Sequence, residues 1–464
     1  MTRYTGTDFS GSVIKRLQSN IAKNAEKYPE TILQQLFAHE IDEVGSIDID
    51  TIIVNSVVQY FPGEQYLSSV LEKSIHLVKD KGQIILGDIR DFRLLKSFKA
   101  RLQMDKLQDS TSLKEFEWRV DQLVMNEEEL CVSPVYFVNL KNHFPEIHAV
   151  TIEWKSGDYL NELSLYRYTA TIHLGSNHDS IHPEWIFWDE TAKENYQELI
   201  AGSQDIIAIK GIPNPRLWKE EQIHRGFKNR SIRTLKHLSD FTSIQDDHSH
   251  WVTSWLKMAS DQQYIVRFLV HEDPYKMDVV LSKTELPAII SQENIKKADP
   301  IAGIVTNMPL FPDICMLLQD ELAMNMNQLL PEYMVPTSFT ALPYVPLTLN
   351  GKVDSELLIL LDDLKQRNAA NYLPPRTETE KTLVNIWQEL LKIDRIGVND
   401  NFFELGGHSL LAMRVIAYLK KEFDMNLSIR TLFQLKDLGE LAVFLDALQE
   451  TPSQEGAEYD VFDL

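Results

Sequence analysis

Cysteine is nearly absent. Two occur in 464 residues, Cys131 and Cys315, and no Cys-x-x-Cys pair exists. Neither a disulfide framework nor a zinc ribbon is indicated, and a reducing compartment is the default. Long apolar runs are also missing: Leu357–Leu361 is among the longest and is only five residues, where a membrane helix needs roughly 18 or more. Met1-Thr2-Arg3-Tyr4-Thr5-Gly6 lacks the apolar segment of a secretory signal, so the cytoplasm is the expected location. Positive charge is scarce as well. With 46 Lys and Arg against 68 Asp and Glu, the net charge is −22, which argues against nucleic acid and anionic membrane as partners. No Gly/Ser/Thr-rich phosphate-binding loop is found anywhere in the chain.

What remains is a globular composition, 44% hydrophobic, too apolar for a disordered chain, with room for about three domains. Asp50–Asn55 reads as a buried parallel strand. Tyr66–Val78 follows as a helix with Leu67, Val70, Leu71, Ile75 and Val78 on one face. Lys79-Asp80-Lys81-Gly82 is a turn, and Gln83–Asp88 the next strand. Strand, helix, strand makes one βαβ unit with parallel pairing. Ala149–Glu153 and Ser164–Leu174 read as two strands separated by a turn-like Lys155-Ser156-Gly157-Asp158. Residues 180–300 carry little pattern. His173, His178 and His182 fit no single helix face, and no Cys or acidic pair completes a tetrahedral set, so no metal is expected.

The last hundred residues are clearer. Thr377-Glu378-Thr379-Glu380 is a capping box, and Leu383, Trp387, Leu390 and Leu391 line one helix face. A second helix starts near Ser409 with Leu411, Val415 and Leu419. A third follows Asp437 with Leu438, Leu441, Leu445 and Leu448. Between the first two lies Asp400-Asn401-Phe402-Phe403-Glu404-Leu405-Gly406-Gly407-His408-Ser409-Leu410. Two glycines allow a sharp turn, and a serine at a helix N-terminus would meet unpaired N–H groups and the positive end of the dipole. Read alone, Ser409 caps a helix.

The whole string resembles the attachment motif of peptidyl carrier domains from nonribosomal peptide synthetases, over Arg376 to about Leu448. The resemblance implies that Ser409 carries 4′-phosphopantetheine, installed by a phosphopantetheinyl transferase, and holds aminoacyl or peptidyl thioesters. It is a tether and not a catalyst; no triad activates it. Upstream, Pro331–Pro336, Pro346–Asp354 and Thr306-Asn307-Met308-Pro309-Leu310 resemble the final motifs of amino-acid adenylation domains. Lys352 matches the lysine that reaches the acyl adenylate, although Asn350-Gly351-Lys352 alone is a hairpin turn. The adenylation core is absent, so adenylation by this chain is not expected.

Arg3–Ser10, Asn55–Pro62, Gly87-Asp88-Ile89-Arg90 and Asn161–Tyr168 resemble the methyltransferase embedded in such synthetases, more faintly to about residue 300 through Ile212-Pro213-Asn214-Pro215-Arg216. By matching position Asp8 would bind the ribose of S-adenosylmethionine and Asn55 would lie near its methionine end. Asn161 and Glu162 would orient or deprotonate the substrate amine; surface residues at a strand edge is the other reading of Glu162. The family's first strand and glycine-rich loop, which should precede Asp8, are lacking, so no independent methyl transfer is expected.

The expected fold class is therefore multidomain: an incomplete α/β Rossmann-like methyltransferase (1–175), a methyltransferase-associated region (176–300), a small α+β adenylation C-terminal subdomain (301–365), a linker (366–375), an all-α four-helix carrier bundle (376–450) and a mobile acidic tail (451–464). Expected partners are the transferase and the upstream adenylation core and condensation domains of a synthetase. Two alternatives stand: a methyltransferase completed by an upstream chain or N-terminus, and an inactive deletion remnant.

Overall fold

A computed structural model describes most of residues 3–450. Outside the described set are chiefly residues 25–27, 46–48, 156–160, 176–178, 190–195, 244–246, 291–304, 346–351, 360–372, 392–395, 406–408, 424–431 and 451–464. The chain forms two compact units, Met1–Pro343 and Tyr344–Leu464.

Among the described residues the first unit holds thirteen strands: β1 (Arg3–Asp8), β2 (Glu30–Gln35), β3 (Ile49–Asn55), β4 (Val78–Asp91), β5 (Cys131–Val132), β6 (Ile147–Trp154), β7 (Arg167–Leu174), β8 (Ser180–Ile181), β9 (Trp185–Phe187), β10 (Ile206–Pro213), β11 (Ile265–Val270), β12 (Lys276–Ser282) and β13 (Ile289–Ile290). Nine of them make one sheet in the order β3-β4-β7-β6-β11-β12-β10-β9, with β5 on β4; β1 and β2 form a separate parallel pair. β3 and β4 are parallel, Ile52 opposite Ile84 and Asn55 opposite Gly87, as the βαβ reading requires. The crossover helix runs Glu64–Leu77 and buries Leu67, Val70, Leu71, Ser74 and Ile75. That three-and-four spacing is one helical face, each Leu or Ile contributing roughly 1.5–3 kcal/mol on burial.

Two local readings are corrected. Lys79–Gly82 is no separate turn, because the helix passes directly into β4 at Val78. Ile49 pairs with Val78 and Thr51 with Gln83, so the extra residues bulge within the strand. Ser164–Tyr166 do not begin a strand, since Glu162–Leu165 is a single helical turn. Asn161 Oδ1 accepts from Ser164 N–H at 3.1 Å and Ser164 Oγ from Asn161 N–H at 3.1 Å. This reciprocal cap outweighs the apolar alternation. Beyond it, β7 pairs antiparallel with both β4 and β6.

The segment with little sequence pattern extends the same sheet. β11 joins β6 at Leu269–Glu153, and β12 and β10 continue it antiparallel. A single core that includes Ile84, Ile152, Tyr168, Ile209 and Val279 runs under these strands.

In the second unit the described helices are Glu378–Leu391, Ser409–Phe423 and Leu438–Glu450. Leu383, Trp387, Val415, Leu419, Leu438, Leu441 and Leu445 form its buried core, and Trp387 meets Phe402 edge-on at 5.1 Å. The predicted capping box is present: Glu380 N–H donates to Thr377 Oγ1 and Thr377 N–H to Glu380 Oε2, each at 3.0 Å. Three helices of the expected bundle are thus found among the described residues, and the acidic tail lies outside them.

Candidate functional site

In the first unit the chemistry gathers at the carboxyl ends of β3 and β4, where ligands of open α/β sheets bind. Asn55 ends β3 and is exposed. Its side-chain oxygen lies over Gly87, in the space an added Cβ would need. The next residue on each strand is left-handed, Ser56 at φ 56° and Asp88 at φ 62°. Backbone held in that region is costly outside glycine and persists where surroundings fix it. Here Ser56 Oγ donates to Asp88 Oδ2, and Lys155 pairs with Asp88 Oδ1.

Behind this rim is a buried ionic network. Arg90, 5% exposed, reaches Glu127 at 3.2 Å, Glu129 at 2.9 Å and Glu162 at 3.7 Å. Arg167 donates to Glu162 at 3.2 Å and to the Asp88 carbonyl at 3.5 Å. Lys99 holds the second oxygen of Glu127 at 2.7 Å. Burial alone would raise the Glu127 carboxyl, but Arg90 and then Lys99 bring it below the ordinary glutamate value. Glu162 is the member of this network that faces solvent, its side chain 43% exposed. The side-chain oxygen of Asn161 is committed to capping the turn that presents it. The network thus offers one half-exposed carboxylate, fixed in direction by two guanidiniums and suited to orienting a cationic or amine group.

Cys131 is buried beside this network. Burial, despite the opposing pull of Arg90, pushes its thiol up to about 12, whereas Cys315 is only partly buried. A thiol reagent at neutral pH should therefore modify Cys315 and leave Cys131 untouched until the chain unfolds, counted by mass spectrometry.

The sequence-derived candidates separate. Asn55, Asn161 and Glu162 border the charged cluster. Asp8 ends β1 on the two-stranded sheet, its carboxylate accepting from Ser10 N–H at 2.7 Å. Lys352 is exposed in the second unit. Ser409 is the first residue of the helix Ser409–Phe423; Gly406, Gly407 and His408 lie outside the described residues, as do Asn350 and Gly351. His173 is buried against Thr151 at 3.3 Å, His182 lines a cleft of about 560 Å³ with Glu184 and Ile206, and His178 is not among the described residues. Among the described residues no three His, Cys, Asp or Glu side chains could hold a metal. No described helix is long and apolar enough to cross a membrane.

Within the sequence motifs Asp88, Arg90 and Arg167 stand without a role of their own, and Glu127, Glu129 and Lys155 carry no signal. The first three sit in Gly-Asp-Ile-Arg and Tyr-Arg-Tyr strings that could have flagged them. The glutamates belong to an ordinary acidic run. Asn307, from the adenylation-like stretch, clips the loop that carries them: it accepts from Cys131 N–H at 2.7 Å and donates to the carbonyls of Glu127 and Glu129 at 3.1 and 2.9 Å.

Comparison with known proteins adds lineage to this geometry. Residues 381–445 match the family described as phosphopantetheine attachment site. The chain is 31% identical to the chondramide synthase cmdD of Chondromyces crocatus, over 98% of this chain and 12% of that protein. It is 28% identical to the probable non-canonical nonribosomal peptide synthetase CymA of Salinispora arenicola, over 95% of this chain and 5% of that protein. It thus spans about an eighth or less of these relatives. Among solved structures, the complex of the phosphopantetheine transferase Sfp with coenzyme A and a peptidyl carrier protein matches at 36% identity, over 16% of this chain and 99% of that one, with a TM-score of 0.16. The attachment-site match and the likeness to synthetases along 98% and 95% of this chain together support a portion of a nonribosomal peptide synthetase module that includes a carrier domain.

Proposed function

We propose that the working element is the tether, with Ser409 as the attachment point. The observation that carries this is the match of residues 381–445 to the attachment-site family, with Ser409 opening a helix inside it. The first N–H groups of a helix have no intrahelical partner and, with the helix dipole, favour a phosphodiester on that residue. A phosphopantetheinyl transferase would join Ser409 Oγ to the pantetheine-bearing phosphorus of coenzyme A, break the pyrophosphate bond and release adenosine 3′,5′-bisphosphate. When bound, the group supplies a thiol that holds aminoacyl or peptidyl units as thioesters. This chain's part is to present the serine from a small packed helical domain. The test is peptide mapping after treatment with a transferase and coenzyme A: one phosphopantetheinyl group should appear, on the peptide containing Ser409. No addition, under conditions that modify a control carrier, refutes the reading.

Lys352 is proposed as the lysine of an adenylation C-terminal subdomain, completing an acyl-adenylate site whose core another part of the synthetase supplies. An adenylation core and a condensation domain are the partners this implies.

A second reading concerns the first unit, as a methyltransferase that needs another segment. Asp8 and Asn55, the two candidates for S-adenosylmethionine, stand on separate sheets. The described residues therefore do not offer that cofactor one continuous floor. The observation that favours completion is the pair of open edges. Among the described residues β1 pairs only with β2 and β3 only with β4, and apolar side chains stay exposed beside them, Ile53 at 60% and Phe9 at 66%. Unpaired edges of this kind accept strands. The chain alone should show no saturable S-adenosylmethionine binding by calorimetry, and binding should emerge when the polypeptide upstream in a synthetase is supplied. Micromolar binding by the chain alone overturns this.

A further inference from the structure

We propose that Arg216 is a positioning residue, a clasp that sets the segment bearing Lys155, Asn161 and Glu162. Its guanidinium donates to the carbonyl of Lys155 at 2.8 Å and to that of Ser164. Lys155 follows β6, and Ser164 lies in the helical turn before β7. One planar fork therefore ties together the two ends of the segment that delivers the Asp88 partner and the half-exposed carboxylate. The fork is itself rigidly mounted. Asn214 caps the turn by accepting from Arg216 N–H at 3.1 Å, Asn214 N–H donates to the Tyr275 carbonyl at 2.9 Å, and the adjacent Leu217 is fully buried. Pro213 and Pro215 restrict the backbone on either side.

Its choice of partners distinguishes this arginine. The buried arginines of the site, Arg90 and Arg167, pair with glutamates. Among the described residues the partners of the Arg216 side chain are two carbonyls, and its Nε is buried without a hydrogen-bond partner. Withdrawing a guanidinium from water without a carboxylate is costly, and the compensation found is the geometry of this one segment. The stretch at 206–217, which contributes no group to the charged cluster, thus acts on it through the backbone. The role assigned to the segment, presenting a carboxylate to a methyl-accepting amine, rests on the methyltransferase reading; the clasp does not.

The test is hydrogen exchange by mass spectrometry on the 464-residue chain, with Arg216→Met keeping the buried stem and removing the donors. The amides of Ser164, Leu165 and Tyr166, bonded to Asn161 and Glu162, should exchange about tenfold faster, while the helix Ser409–Phe423 and the loading of Ser409 stay unchanged. Arg216→Lys, whose ammonium lacks the fork, should fall between, and it decides the matter if Arg216→Met does not fold. Unchanged protection of residues 164–166 in the folded variants overturns the clasp. With the upstream polypeptide supplied, Arg216→Met should raise KM for the amine substrate more than it lowers kcat. If the wild-type assembly transfers no methyl group, the methyltransferase reading fails, and the exchange result still decides the clasp.

Discussion

Replacing Ser409 with alanine should abolish loading completely: the mass of the chain stays fixed under transferase and coenzyme A, where the wild-type chain gains one phosphopantetheinyl group. On the proposed role the effect is all or none, because the Ser409 hydroxyl would be the atom that forms the new bond and alanine offers none in its place. Stability should change little. The carrier core is made by Leu383, Trp387, Val415, Leu419, Leu438, Leu441 and Leu445, and loss of a helix-terminal hydroxyl costs about 1 kcal/mol or less. An unchanged melting curve with zero loading separates the chemical role from a structural one. Loading that persists in Ser409→Ala would assign the group to another residue.

Arg90→Ala should be the most damaging single change in the first unit. It leaves Glu127, 6% exposed, with Lys99 as its remaining cation and takes from Glu129 its 2.9 Å partner. Removing one side of a buried ion pair typically costs about 3–5 kcal/mol, much of the stability of an average domain. Arg90→Met combined with Glu127→Gln and Glu129→Gln should recover most of that loss, because the penalty comes from stranded charges more than from lost packing. Denaturation followed by exchange of β4, β6 and β7 peptides measures both variants. Equal stability of Arg90→Ala and wild type would show that the network contributes nothing.

The same cluster sets an acid limit. The folded Glu127 carboxyl lies below its ordinary value of 4.5. A depressed folded pKa contributes stability that is fully present above the unfolded value and is lost as pH falls through the folded one. The first unit should therefore weaken as pH drops below about 4.5, and Glu127→Gln should flatten that dependence while lowering stability at neutral pH. An identical acid profile for the variant would remove Glu127 as the cause.

Much of the architecture could be read from the chain where periodicity was strong. The capping box at Thr377 and Glu380, the apolar faces around Trp387 and Val415, and the parallel β3–β4 unit follow from side-chain spacing alone. Reading weakened where local preferences compete. Ser164–Leu165 alternates like a strand yet is turned into a helix by one asparagine cap. Residues 276–282 showed no clear pattern because β12 is buried at every position but its first, so polar–apolar alternation has nothing to report there.

The candidate site divides in the same way. The sequence by itself revealed the attachment-like string, within the stretch that matches the attachment-site family, because a local motif at a helix start carries its chemistry in adjacent residues. Tertiary structure alone decided the charged cluster, which draws on residues 88, 90, 99, 127, 129, 155, 162 and 167. The β-sheet brings those positions together, and no spacing along the chain encodes the distance between strands. Only the fold, too, brought Arg216 to the carbonyls of Lys155 and Ser164 and left the edges of β1 and β3 open among the described residues, since which backbone groups find partners is settled by the assembled sheet.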